Sequence, residues 1–96
     1  MSLRVAVLGV GHFGRFHALK AAKGTRLRLV GVSDADPARA AAVAAECGVA
    51  ALSAENAIEA AEAVIVVAPT RFHHALGMAA LRAGRHLLVE KPIAGT

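Results

Sequence analysis

Five short apolar runs recur along the chain, and each of the first four is followed by a segment with helical spacing or a helix-initiating residue. They cover residues 3–9, 27–33, 49–52, 63–68 and 86–90. The runs are rich in Val, Leu and Ala and are bounded by Gly, Pro or Asp, which is typical of buried strands. The third run is the weakest strand prediction, and the fourth is the strongest.

The segments between these runs predict four helices. They cover residues 12–23, 37–47, a short stretch that begins at Ser53, and 71–83. The first helix carries Phe13, Phe16 and Leu19 on one side. Asp36 is a candidate N-cap for the second helix, with Pro37 in the first helical position. Glycines that end helices follow three of them, namely Gly24, Gly48 and Gly84.

Strict alternation of strands and helices with short connections predicts right-handed crossovers and a parallel sheet. We therefore expect the α/β class, as a three-layer, doubly wound Rossmann sheet with the strand order 3-2-1-4-5. The length of 96 residues suits one domain, residues 1–96. Hydrophobic residues make up 56% of the chain and charged residues 19%, which fits strands buried on both faces and argues against disorder.

The formal net charge is +4, with 11 Lys and Arg residues against 7 Asp and Glu. The basic residues are scattered, and no basic run is interleaved with aromatic residues. We interpret the charge as a solvated surface rather than as a nucleic-acid-binding patch. A positive field would still favour a ligand that carries phosphate groups.

Other features of the sequence bear on the compartment and on metals. Cys47 is the only cysteine, which excludes an intramolecular disulfide and fits a reducing cytoplasm; we interpret it as a packing residue. The apolar run 63–70 is too short to span a bilayer, and no signal peptide is expected, so the prediction is a cytoplasmic protein without a membrane segment. His73 and His74 are adjacent and diverge on a helix, so no metal site is expected.

The first strand leads directly into Gly9-Val10-Gly11-His12-Phe13-Gly14, which matches the pattern G-x-G-x-x-G and opens the first helix. Gly9 would permit a tight turn, Gly11 would let the backbone approach a pyrophosphate, and Gly14 would let helix and strand pack closely. Free N–H groups at the helix N-terminus would face the phosphates. This placement, rather than the pattern alone, predicts a dinucleotide site.

Asp34 lies twenty residues after Gly14, at the end of the second strand. A carboxylate there can accept hydrogen bonds from an adenosine ribose and repels a 2′-phosphate, which favours NAD(H) over NADP(H). The alternative is that Asp34 only caps the following helix, with Asp36 or neither residue on the ribose. Arg39 could face a 2′-phosphate or stack on adenine, or it could simply be solvated.

Two further segments follow strands that end at the same edge of the sheet. Pro69 and Thr70 follow the fourth strand, where Thr70 could cap the next helix and also face the cofactor. Glu90 and Lys91 follow the fifth strand. A lysine beside a nicotinamide could bind or protonate a substrate oxygen if its pKa fell, and a surface lysine is the alternative.

Together these segments resemble the N-terminal domain of the glucose–fructose oxidoreductase / inositol dehydrogenase / MocA family. The similar segments are 9–17 (GVGHFGRFH), 32–34 (VSD), 69–73 (PTRFH), 79–86 (AALRAGRH) and 90–92 (EKP). The resemblance covers essentially the whole chain. It implies an NAD(P)-dependent oxidoreductase that moves hydride between the nicotinamide and a sugar, a cyclitol or a related hydroxyl or keto compound.

The resemblance also assigns expected roles to residues of this chain. His12 and Phe13 would belong to the cofactor site within the glycine motif, and Asp34 would hold the ribose. Pro69, Thr70 and His73 would lie along the cofactor, Glu90 would support it, and Lys91 would be the catalytic lysine that faces the substrate. A cis peptide bond before Pro92 is implied as well.

Family members continue into a sixth strand and a substrate domain, whereas this sequence stops at Thr96. We therefore expect a truncated Rossmann domain that binds the cofactor but is inactive alone. A non-catalytic nucleotide-binding module is the alternative; binding of S-adenosylmethionine would not explain Lys91. With no sixth strand, the apolar fifth strand would form an exposed edge and favour self-association.

Overall fold

The computed structural model describes residues 3–24, 26–67 and 70–89. Five strands and four helices alternate along the described chain: β1 (Leu3–Leu8), α1 (His12–Lys23), β2 (Leu27–Ser33), α2 (Pro37–Cys47), β3 (Ala50–Ala51), α3 (Ala54–Ala60), β4 (Ala63–Val66), α4 (Thr70–Arg82) and β5 (His86–Val89). The bounds of α1, β2 and α2 coincide with the sequence predictions.

The strands form one parallel sheet in the order β3-β2-β1-β4-β5, which confirms the predicted topology. The chain winds outward from β1 in one direction through β2 to β3, then crosses to β4 and β5 on the other side. The reversal of direction beside β1 is the point at which doubly wound sheets bind their ligands.

The weakly predicted third strand is shorter than expected. Only Ala50 and Ala51 pair with β2, opposite Gly31 and Val32, and both alanines are exposed at the edge of the sheet. The fourth strand also ends earlier than predicted, at Val66, and α4 begins one residue earlier, at Thr70. The ends of these two strands therefore depend on which residues find a hydrogen-bonded partner in the neighbouring strand, and not on how far the apolar sequence extends.

Two hydrophobic cores lie on opposite faces of the sheet. One is formed with α1 and α2 and includes Val7 and Val43; the other is formed with α3 and α4 and includes Leu8 and Ile58. Burial of alternate residues of β1 in opposite cores explains why its sequence is apolar at successive positions.

Small residues line the described part of the buried face of α1. Gly14, Ala18 and Ala21 are buried, whereas Leu19 is only half-buried. Small residues on this face let the helix approach the sheet closely. That Leu19 shares a side with Phe13 and Phe16 stays a prediction.

Side-chain and glycine caps fix the ends of two helices. The Asp36 carboxylate accepts hydrogen bonds from the backbone N–H groups of Ala38 and Arg39, as an N-cap does. Gly48 ends α2 in the left-handed conformation, with φ of 69°. The hydroxyl of Ser53 accepts a hydrogen bond from the N–H of Asn56 at the start of α3. The predicted cap at Asp36 is therefore confirmed, and so is the start of a short helix at Ser53.

Candidate functional site

The carboxyl ends of four strands meet in one row at a single edge of the sheet. Leu8 of β1 lies in register with Ser33 of β2 on one side and with Val66 of β4 on the other. Val66 in turn lies in register with Val89 of β5. Residues 9–11 follow β1 and Asp34 follows β2, so the backbone brings these two segments to the same edge of the sheet.

Residues 9–11 join β1 to α1, and we call them the glycine turn. The shape of this turn depends on two glycines. Gly9 has φ of 94°, in the region that L side chains rarely adopt, and its N–H donates to the carbonyl of Ser33 at 2.7 Å. A Cβ on Gly14 would overlap the carbonyl oxygen of Gly9 and lie 2.7 Å from its carbonyl carbon. Both glycines are thus required by the turn itself, as expected for the first and third positions of the motif.

Among the residues that the structure describes, none requires a glycine at position 11. It precedes α1 with φ of −66°, and the nearest atom to a Cβ built there is Nη1 of Arg39, at 3.8 Å. Gly11 offers no side-chain cap, and the first turn of α1 contains no acidic residue. The start of α1 therefore leaves space where a side chain would otherwise stand, beside helix N–H groups that favour an anion.

Asp34 connects this turn to the loop after β2. Its Oδ2 accepts a hydrogen bond from the N–H of Val10 at 2.8 Å, and its Oδ1 accepts one from the N–H of Asp36 at 2.8 Å. The side chain of Asp34 is only 8% exposed. Asp36, rather than Asp34, caps α2, so the alternative reading of Asp34 as a simple helix cap is wrong.

Arg39 supplies a positive charge at the same place. Its Nη1 lies 3.8 Å from Oδ1 of Asp34, and its side chain is 52% exposed. The guanidinium also borders the space above Gly11. Arg39 is therefore neither a free surface residue nor buried: it forms one wall of the open space between the glycine turn and Asp34.

For some of the other expected site residues the structure describes only the backbone, and the rest lie outside the described residues. His12 and Phe13 lie in the first turn of α1, and Thr70 and His73 lie in the first turns of α4, next to the carboxyl edge. Pro69, Glu90, Lys91 and the bond before Pro92 lie outside the described residues.

Sequence reasoning missed the contact between Asp34 and Val10. The donor is a backbone N–H, which any residue except proline could supply, so the identity of Val10 carried no signal. The spacing between the glycine motif and Asp34 was the only available hint, and it was interpreted as a ligand contact alone.

A paired charge links α1 to α2 beside the site. Arg15 donates from Nε to Oε1 of Glu46 at 2.9 Å and from Nη2 to Oε2 at 2.6 Å. The hydrogen bond and charge of Arg15 lower the pKa of the Glu46 carboxyl. Burial raises the pKa of the neighbouring Cys47 thiol, which packs against the first core. This agrees with a packing role for Cys47 rather than a nucleophilic one.

No helix in residues 3–24, 26–67 and 70–89 is long and apolar enough to cross a membrane. Within the same residues, no group of three or more His, Cys, Asp or Glu side chains could hold a metal ion.

Comparison with known families gives a match over nearly the whole chain. The model of GFO_IDH_MocA, an oxidoreductase family with an NAD-binding Rossmann fold, matches residues 3–96. UDP-N-acetylglucosamine 3-dehydrogenase of Acidithiobacillus ferrooxidans is 46% identical over 91 residues, which make up 94% of this chain and 28% of that protein. Inositol 2-dehydrogenase 1 of Saccharopolyspora erythraea is 38% identical over 102 residues, covering 100% of this chain and 30% of that protein.

Solved structures agree with these sequence matches. The Acidithiobacillus enzyme superposes with a TM-score of 0.88 and 44% identity, covering 96% of this chain and 30% of that one. Scyllo-inositol dehydrogenase from Lactobacillus casei, with bound NAD(H) and scyllo-inositol, superposes with a TM-score of 0.83 and 26% identity, covering 93% and 28%. The chain therefore spans less than a third of the length of these relatives.

Proposed function

The chain belongs to the GFO_IDH_MocA oxidoreductase family with its NAD-binding Rossmann fold. We therefore propose that it binds NAD(H) at the carboxyl edge of the sheet and is the cofactor-binding domain of a dehydrogenase. The substrate class that we propose is a sugar, a cyclitol or a related hydroxyl or keto compound. Relatives described as UDP-N-acetylglucosamine 3-dehydrogenase and inositol dehydrogenases support this choice.

The observation that carries the cofactor proposal is the open space at Gly11, beside Asp34. Within the described part of the chain, a Cβ at Gly11 would meet no atom closer than 3.8 Å, so packing there does not explain the glycine. A pyrophosphate that approaches the backbone does explain it. The start of α1 lacks acidic side chains, which suits a bound anion.

Asp34 supports NAD(H) over NADP(H). Its carboxylate is almost fully buried at the position where a ribose hydroxyl would be bound, and a 2′-phosphate would place a like charge against it. Arg39 offsets part of that repulsion, because its guanidinium is 3.8 Å from the same carboxylate. We therefore expect discrimination against NADP(H) rather than its complete exclusion.

The remaining roles that we propose are those that the family resemblance implies. Backbone N–H groups around Gly11 and Gly14 would bind the pyrophosphate, with His12 and Phe13 in the same turn of helix. Pro69, Thr70 and His73 would border the cofactor from the β4 side, and Glu90 from the β5 side. When bound, the nicotinamide supplies the hydride acceptor or donor, and the protein fixes its position.

Lys91, two residues after the end of β5 in the sequence, would hold or protonate the substrate oxygen, which is the step for which the protein itself supplies a proton. In a preparation of the enzyme that turns over a polyol substrate, Lys91→Ala should abolish this turnover. NADH affinity should change far less than turnover, because the phosphate and ribose contacts lie elsewhere. Unchanged turnover in Lys91→Ala would refute the catalytic role.

Calorimetric titration with NAD⁺, NADH and NADPH tests the cofactor proposal. We expect one site per chain and NADH binding at least about tenfold tighter than NADPH binding, which corresponds to about 1.4 kcal/mol. Failure of all three nucleotides to bind would refute the proposed site. Tighter binding of NADPH would refute the role given to Asp34.

We also propose self-association through β5, which lies at an edge of the described sheet. The unpaired side of an edge strand can pair with a second chain. Sedimentation equilibrium should then give a dimer or larger species, and a monomer at high concentration would refute the proposal. A cytoplasmic location stays a prediction based on the lone Cys47.

A further inference from the structure

The carboxylate of Asp34 occupies the junction between two loops that are distant in sequence. One oxygen accepts the N–H of Val10 in the glycine turn, and the other accepts the N–H of Asp36 in the turn after β2, each at 2.8 Å. The side chain is 8% exposed. Each oxygen thus accepts one backbone hydrogen bond from within the protein and retains a second lone pair.

The glycine turn has high intrinsic backbone freedom. Gly9 has positive φ, and Gly11 offers no side chain to cap α1. Glycine-rich segments lose more conformational freedom on ordering than other segments do. Two hydrogen bonds tie the turn to the β2 side: the N–H of Gly9 donates to Ser33, and the N–H of Val10 donates to Asp34. Only the second depends on a side chain.

We propose that Asp34 is a positioning residue for the phosphate-binding turn, in addition to any contact with a ribose. By holding the N–H of Val10, it fixes the turn and the start of α1 in their binding geometry before the cofactor arrives. This inference rests on the proposed function. It also means that the ribose side and the phosphate side of the site are coupled through one carboxylate.

Asp34 could affect anion binding by positioning the glycine turn or by its charge, and these two effects predict opposite changes in affinity when the charge is removed. Arg39 lies 3.8 Å from Asp34 and borders the space above Gly11. If Asp34 lost its charge, Arg39 would no longer be offset, and an anion in that space would be bound more tightly on charge alone. If Asp34 holds the turn in place, the same change weakens binding of the anion.

The probe that separates these effects is 2′,3′-dideoxyadenosine diphosphate, which keeps the pyrophosphate but has no ribose hydroxyls for Asp34 to contact. We expect Asp34→Ala, which removes both acceptor oxygens, to bind it about tenfold more weakly than the wild-type protein, as for loss of a hydrogen bond to a charged group. Equal or tighter binding by Asp34→Ala would overturn the proposal. Asp36→Asn is the matched control: it removes one charge nearby, retains a good N-cap residue, and should bind the probe like wild type.

A second readout needs no nucleotide and therefore tests the inference even if the proposed function fails. Amide hydrogen exchange in the free protein should show the Val10 amide protected in the wild type. In Asp34→Ala it should exchange about tenfold faster, while core amides such as that of Val64 keep their rates. An unprotected Val10 amide in the wild type would overturn the proposal, whether or not the variant folds. So would an unchanged rate for Val10 in Asp34→Ala.

Discussion

Gly14 of α1 lies directly against the peptide group of Gly9, so closely that a Cβ at Gly14 would stand 2.7 Å from the Gly9 carbonyl carbon. This contact brings the first turn of the helix down onto the end of β1. It explains why the first and third glycines of the motif are linked, and why neither tolerates a side chain without a shift of the backbone.

Replacement of Gly14 by alanine should therefore destabilise the fold. We expect Gly14→Ala to lower the free energy of unfolding by about 2–3 kcal/mol, as for overpacking against a backbone that cannot rotate away. Urea denaturation measures this. Gly24→Ala is the control, because its Cβ would lie 3.6 Å from the nearest atoms at an ordinary φ of −74°. A similar cost for both variants would contradict the account of Gly14.

Gly11→Ala should weaken NADH binding strongly while changing the stability of the fold only slightly. Its Cβ would enter open space, so the free energy of unfolding should fall by no more than about 1 kcal/mol, the usual difference between glycine and alanine at an N-cap. NADH affinity should nevertheless fall at least about tenfold, because the methyl group would stand where the pyrophosphate approaches. Calorimetric titration beside a denaturation curve checks both. Unimpaired NADH binding would show that the space at Gly11 is not the phosphate site.

The ion pair between Arg15 and Glu46 predicts a pH dependence. Because Arg15 lowers the pKa of the Glu46 carboxyl, the folded protein keeps that charge to a lower pH than the unfolded chain does. The pair's contribution to stability is complete above the usual pKa of a glutamate and is lost as pH falls through the folded-state pKa.

Side-chain NMR titration should place the Glu46 midpoint below its usual range and return it to that range in Arg15→Gln. The stability difference between wild type and Glu46→Gln should shrink as pH falls from neutral to acidic values. A midpoint unaffected by Arg15→Gln would contradict this interpretation.

Arg85 stabilises the C-terminal end of α3 from outside the helix. Its Nε donates to the carbonyl of Ile58 at 2.8 Å, and its Nη2 donates to that of Glu59 at 3.0 Å. We expect Arg85→Ala to cost about 1–2 kcal/mol in urea denaturation, because two helix-end carbonyls lose a charged donor. Arg82→Ala, at an exposed position on α4, serves as control and should cost less than about 0.5 kcal/mol. Equal costs would argue against the capping role of Arg85.

The sequence predicted the sheet order and most element bounds because each boundary carries a local signal. Asp36 with Pro37 starts α2, and Gly48 ends it. Strand β3 was less predictable, since its length depends on how far Ala50 and Ala51 can pair with β2 rather than on their own character.

For the site, residue types indicated Gly9, Gly11, Gly14 and Asp34, because glycine freedom and carboxylate charge are properties of the side chains themselves. The hydrogen bond from Val10 was not predictable, since it uses a backbone group. The position of Arg39 was also open: a residue in the first turn of α2 can face solvent or the site, and only the packed loops decide which.

Binding of NAD(H) at the carboxyl edge of the sheet, between the glycine turn and Asp34, can be followed residue by residue in an NADH titration monitored by amide NMR on the labelled protein. We expect the amides of Val10, Gly11, Gly14 and Asp34 to shift together and saturate, while those of Glu55 and Glu59 on α3 stay unchanged. Absence of shifts at the glycine turn, or shifts centred on α3, would contradict binding at this site.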